Sequence, residues 1–218
     1  ENDELVVRQV SGNLQAAFNY YNRFGGHEDK REALQNFSWN ALEAAEPDSE
    51  IQRIWYNSFV SLAHTEDALN ALHSLLNGND SISGIDIDQD KRWDIILMIN
   101  RYLHEDYESL LTTEETHDQS DIGINSALAA KASRPLASIK TEFLNSLINK
   151  PDRYKVANQR FIATYLFENE QHDLIDLFTD EIFDAWSDWA ENAKDRFMNV
   201  YQALLPTRCN EEKIALFE

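Results

Sequence analysis

One cysteine, six glycines and four prolines among 218 residues leave little material for several kinds of fold. The lone Cys209 excludes an internal disulfide, and its setting, Thr-Arg-Cys-Asn, holds nothing that would activate a thiol. So little cysteine points to a reducing compartment, the bacterial cytoplasm. Scarce glycine and proline speak against turn-rich sandwiches and barrels and against a disordered chain. No stretch approaches the ~18 consecutive apolar residues of a bilayer span, so no membrane-spanning segment is expected. The opening Glu-Asn-Asp-Glu lacks both the basic and the apolar part of a signal peptide. An initiator methionine is missing too, and the expectation is a piece of a longer protein. Basic residues are outnumbered 19 to 39, giving a formal charge of −20, and no basic cluster offsets it. A phosphate backbone would be repelled, which argues against a nucleic-acid partner. The acids read as a well-solvated surface, compatible with cationic ligands or peptide amino groups.

What is present favours helix: Leu, Ala, Glu, Asn and Asp are plentiful, and apolar residues recur at helical spacing almost throughout. Val6, Val10, Leu14, Ala17, Phe18 and Tyr21 predict the inward face of a first helix, ended by Gly25-Gly26. A second helix is expected over residues 29–45, with Glu46-Pro47-Asp48 as stop and new cap. A third carries Ile51, Ile54, Trp55, Phe59 and Leu62; a fourth, opened by Thr65, carries Leu69, Leu72 and Leu76 and closes at Asn77-Gly78. Residues 92–103 are apolar nearly all round, as in a central helix. Further helices are predicted at 105–115, 121–133, 136–149, 152–168, 171–178 and 180–204, with Pro135 and Pro151 in first-turn positions. Short connections make consecutive helices antiparallel neighbours. The expected fold is all-α: one domain, residues 1–218, forming a superhelical array of paired helices of HEAT or armadillo kind with degenerate repeats.

Metal chemistry demands ligands at fixed spacing. A zinc-peptidase H-E-x-x-H needs two histidines four apart on one helix face. His27-Glu28 is followed by Arg31 at the second ligand position, and His104-Glu105 by Glu108. The one E-x-x-H, Glu114 to His117, lies in a polar stretch read as loop, where a di-iron bundle needs two such pairs facing inward. Asp86, Asp88 and Asp90 match the first three ligands of a calcium loop, but Lys91 replaces the required glycine and Leu97 the closing bidentate Glu. The alternative is local: Asp88 or Asp90 caps the next helix, while Ile85 and Ile87 anchor the loop to the core. No nucleophile elbow, phosphate loop or dinucleotide fingerprint occurs. No catalytic, metal or cofactor-binding residue is assigned.

Three blocks carry a resemblance. Gly78, then Gly84-Ile-Asp-Ile-Asp88-Gln-Asp90-Lys-Arg92-Trp93, resembles the G-(L/I)-x-(V/I)-D-x-(D/E)-x-R-W element in the C-terminal helical domain of the aminopeptidase N family of zinc metallopeptidases. Asp118, Ser120 and Gly123, followed by Ala127, Ala130, Ala132, Pro135 and Lys140, are similar to that domain's D-x-(S/T)-x-x-G…A-x-A-x-x-P-x(4)-K pattern. Leu174, Phe178, Phe183 and Trp186 resemble its L-x-x-x-(Y/F)-x(4)-F-x-x-W segment. Lys91 stands where an aliphatic residue is usual, and Ser120 where threonine is commoner.

The resemblance implies that H-E-x-x-H, a further Glu ligand, zinc and an amino-terminus-binding motif belong to a separate upstream catalytic domain. It also implies that this chain is a non-catalytic lid enclosing the peptide chamber, with that upstream domain and peptide substrates as partners. Arg92 and Arg134 are the candidate peptide-contacting residues, though pairing with the many local acids to hold helices together is the favoured role for each. The competing reading is a free-standing helical repeat that binds a protein partner in its concave groove. An independent all-α metalloenzyme is disfavoured by the failed ligand tests.

Overall fold

A computed structural model describes residues 3–22, 28–192, 196 and 200–205, without the side chains of 19–22 and 172. The Gly25-Gly26 stop, His27 and Cys209 lie outside the described residues. Eleven α-helices are described: α1 (Glu4–Asn22), α2 (Glu28–Ala44), α3 (Glu50–Leu62), α4 (Glu66–Leu76), α5 (Gln89–Arg101), α6 (Tyr107–His117), α7 (Asp121–Ser133), α8 (Ala137–Asn149), α9 (Val156–Leu166), α10 (His172–Asp176) and α11 (Thr179–Asn192). A 3-10 turn, Tyr201–Leu204, follows, and no strand occurs among the described residues. The all-α expectation holds.

The chain resolves into two compact units, Glu1–Ile99 and Asn100–Glu218. In the first, α3 packs against both α1 and α2. Its start is set by Ser49, whose Oγ accepts the Gln52 N–H at 3.1 Å, while the expected cap, Asp48, instead takes a left-handed turn at φ 63°. Thr65 caps α4 as predicted, accepting from Ala68 N. Leu42, Ile54, Phe59, Leu69, Leu72 and Leu76 are buried, each contributing about 1.5–3 kcal/mol of transfer free energy. From α5, Trp93, Ile95, Ile96, Met98 and Ile99 are all buried, matching a helix covered on most sides.

The predicted inward face of α1 is wrong. Phe18 is buried, but Val6, Val10 and Leu14 are 57%, 49% and 42% exposed. The docked face is the neighbouring one. Ser11 Oγ lies 2.6 Å from Ser58 Oγ, Gln15 Nε2 donates to Ser58 Oγ at 2.8 Å, and Arg8 pairs with Glu50. Residues 7-11-15-18 and 6-10-14-17 are parallel rows about 100° apart on a helix, and hydrogen bonding to Ser58 selects the first where apolar periodicity marks the second.

The second unit closes around Phe143, Leu144, Leu147, Ile162, Ala163, Leu166, Phe178, Ile182, Trp189 and Tyr201. Trp189 stacks on Tyr201 with ring centroids 4.2 Å apart. Alanines 127, 130 and 132 are buried on α7, which packs closely against α9. Several predicted boundaries move. The central helix stops at Arg101, ahead of left-handed Leu103 (φ 49°) and Asp106 (φ 60°). Glu114 to His117 is the last turn of α6, not a loop, because Thr112, Thr113 and Thr116 return their hydroxyls to carbonyls four residues back and leave the helix intact. Pro135 precedes the cap residue Leu136, and Pro151 sits in a turn before α9, so neither occupies a first helical turn. The span expected as one helix over 180–204 is described as α11 to Asn192 and the separate 3-10 turn.

Candidate functional site

The aspartate ladder of residues 86–90 is a helix entry. Asp88 Oδ1 accepts the Lys91 N–H at 3.0 Å, Asp88 O accepts from Arg92 N at 2.9 Å, and Lys91 Nζ closes on Asp88 Oδ2. That bond to Lys91 is also the first cause holding the Asp88 carboxyl below its ordinary value. Ile85 is buried and Ile87 half-buried, while all three aspartates face solvent. Gly84 explains itself: at φ 85° a Cβ would lie 2.2 Å from Asp48 N. Gln52 bolts the same spot together, its Oε1 accepting from Asp48 N at 2.9 Å and its Nε2 donating to Ser83 O at 2.8 Å. Half-buried Arg92 donates from Nη1 to Leu76 O at the end of α4, 3.3 Å away, where a cation suits the helix dipole.

The second block is likewise a joint. Asp118 Oδ1 accepts from Ser120 N at 3.1 Å, and Ser120 Oγ caps α7 by accepting from Gly123 N at 3.1 Å. A Cβ on Gly123 would meet Asp118 O at 2.3 Å, so this turn too admits only glycine. At the far end of α7, Arg134 is buried. Its Nε donates to Asn100 Oδ1 at 2.8 Å, its guanidinium covers the Tyr107 ring at 4.8 Å, and Glu108 lies 3.9 Å from Nη1. Burial pulls this guanidinium below its ordinary range, and Tyr107, Glu108 and Glu115 pull it partly back.

Beside that helix end lies a cleft of about 510 Å³ lined by Arg101, Tyr102, Pro135, Glu170, Gln171, Asp173 and Leu174. Arg101 grips Glu170 with two nitrogens, Nη2 to Oε2 measuring 2.6 Å, and also meets Glu168 at 3.1 Å. Tyr102 Oη donates to Glu170 Oε1 at 3.2 Å. Burial alone would weaken the Arg101 charge, but the carboxylates of Glu168 and Glu170 outweigh it and push the pKa upward. Behind the cleft, Lys140 is fully buried and donates to Ala132 O at 2.6 Å, while Gln171 Nε2 donates to Ser133 O at 2.7 Å. Both thereby satisfy carbonyls of the last turn of α7 that have no helical partner. Burial drives the Lys140 pKa down to about 7, with Glu168 and Glu170 resisting and Arg101 assisting. The Arg101 cluster was not anticipated. Its only trace in the sequence is the acid-rich connector Phe167-Glu-Asn-Glu-Gln171 between two helices.

The residues do not fit zinc. Glu114 is buried whereas His117 is exposed, so the E-x-x-H pair does not converge, and no group of three or more potential ligands gathers among the described residues. Nor is any helix, among the described residues, long and apolar enough to cross a membrane.

Comparison with known proteins agrees with the three blocks. The chain is 27% identical over 214 residues to "Aminopeptidase N" of Streptomyces lividans, a match that covers 94% of this chain and 24% of that protein. It thus spans about a quarter of the length of that relative. The family model described as "ERAP1-like C-terminal domain" matches residues 1–218. With that match running the whole length, the chain belongs to the ERAP1-like C-terminal domains, the C-terminal helical domain of the aminopeptidase N family.

Proposed function

We propose that this chain is the non-catalytic C-terminal domain of a zinc-dependent aminopeptidase, closing the chamber in which peptides lose their N-terminal residues and helping to admit and orient them. The observation that carries this reading is the family match over residues 1–218 to a domain defined by its C-terminal position. Zinc and its ligands belong to the upstream catalytic domain. This chain's own contribution is geometric: the helical domain forms a wall that excludes water and limits access, and opening of that wall admits substrate and releases product. Within it, Arg92 and Arg134 hold helix ends, since Leu76 O engages the first and Asn100 and Tyr107 engage the second. The cleft beside Arg101 is the better candidate for peptide contact. Its cation is already matched by Glu168 and Glu170, so exposed Asp173 leaves the rim acidic and suited to basic peptide groups.

The test compares the isolated chain with its full-length parent. The chain alone gives a strongly helical circular dichroism spectrum and leaves an aminoacyl reporter intact, whereas the parent cleaves it and loses that activity to a chelator. Zinc-dependent cleavage by residues 1–218 alone, or a parent gene without an upstream H-E-x-x-H segment, would overturn the reading.

A further inference from the structure

Among the described residues, one face of α1 in the first unit stays largely exposed although it is apolar. Val6, Val10 and Leu14 follow one another at intervals of four along α1, and exposed Ala17 continues the row. No charged side chain interrupts this seam, although the chain carries a net charge of −20 and its solvated faces are acidic. The neighbouring face of α1 is already committed to α3 through Ser11, Gln15 and Phe18. A row of aliphatic side chains at helical spacing is the pattern of a helix-packing seam, and a contiguous exposed patch of this kind marks an interface.

From this arrangement we infer that the Val6–Val10–Leu14 seam of α1 is the face on which the remaining polypeptide of the parent enzyme docks. The inference rests on the chain being one domain of a longer enzyme. The relative from Streptomyces lividans has about three-quarters of its length outside the matching region, so a large folded body is available as occupant. The seam's chemistry fits such a permanent partner. It is apolar and uncharged, as in obligate interfaces, where a transient encounter would employ a more polar rim.

The test places a photo-cross-linking amino acid at Val10, and separately at Leu14, in the full-length parent, with Gly12 as control. Gly12 is on the same helix, roughly opposite the seam, with open space around it. After irradiation, Val10 and Leu14 yield intramolecular cross-links to peptides outside Glu1–Glu218, several-fold more than Gly12 does. Cross-links confined to residues 1–218, yields no higher than the control, or products joining isotopically light and heavy copies would each overturn the assignment, the last by making a second copy the occupant. Reporter cleavage in the same preparation is read separately, so an inactive parent with a docked α1 refutes the aminopeptidase reading and leaves the docking face standing.

Discussion

Replacing Lys140 with methionine removes one titrating group from the interior and keeps nearly the same volume. The ammonium is fully buried, and its pKa falls from 10.5 to about 7 on folding. Between those two values the unfolded chain binds a proton that the folded chain does not, so stability rises with pH across that window. Below about pH 7 both states are protonated and the penalty for the buried charge is fully present; above the ordinary lysine pKa neither is, and the penalty is gone. The limiting slope is about 1.4 kcal/mol per pH unit, which gives the native protein about 2 kcal/mol between pH 7 and 9 from this group alone. Urea unfolding of native chain and K140M at pH 6, 7, 8 and 9 isolates it, because all other titrations cancel in the difference. The stability of the native chain relative to K140M should climb from pH 7 to 9 and level off below 7. Methionine leaves Ala132 O without its donor, a pH-independent loss of about 1 kcal/mol that shifts the difference without bending it. A flat difference, or one that falls as pH rises, would refute the assignment of a depressed pKa to this lysine.

Two other substitutions probe the joints. Gly84→Ala combines a left-handed φ with a 2.2 Å clash against Asp48 N, whereas Gly78→Ala shares the positive φ but meets nothing within 4 Å. G84A should therefore lower stability by at least ~2 kcal/mol more than G78A, and equal urea midpoints would show the loop yielding freely. Arg101→Met strands Glu168 and Glu170 in a partly buried site and should cost about 3–5 kcal/mol, seen as a lowered thermal midpoint. Adding Glu168→Gln and Glu170→Gln to R101M should recover much of that loss, and no recovery would mean that Arg101 acts by packing rather than by charge.

Most helices were legible because their signals are local. The sequence marks Thr65 as one cap and Asp88 or Asp90 as another, and Thr65 and Asp88 each accept the N–H three residues ahead. What escaped depends on partners remote in sequence. Which of two adjacent rows of α1 faces inward is decided by Ser58, more than forty residues away. The Arg101 cluster joins the end of one helix to a connector nearly seventy residues on. Single-chain periodicity carries neither piece of information, and Glu168 and Glu170 read as ordinary solvated acids until Arg101 is placed beside them.

The family blocks were legible for a reason that bears on what they mean. In the first, Gly84 is required by a close approach to Asp48 and Asp88 by a cap. In the second, Gly123 is required by Asp118, and Lys140 reaches back eight residues to a carbonyl at the end of α7. Each of these four positions thus serves a helix joint. Residues of this kind fix how helices meet and leave the cleft rim to other side chains. On the proposed reading, contact with a peptide would then involve side chains outside the blocks, such as Asp173 at the rim of the cleft lined by Arg101 and Pro135. Exchanging Asp173 should accordingly, on the proposed reading, change which peptides the parent enzyme prefers while the Arg101–Glu170 pair and the helical fold survive.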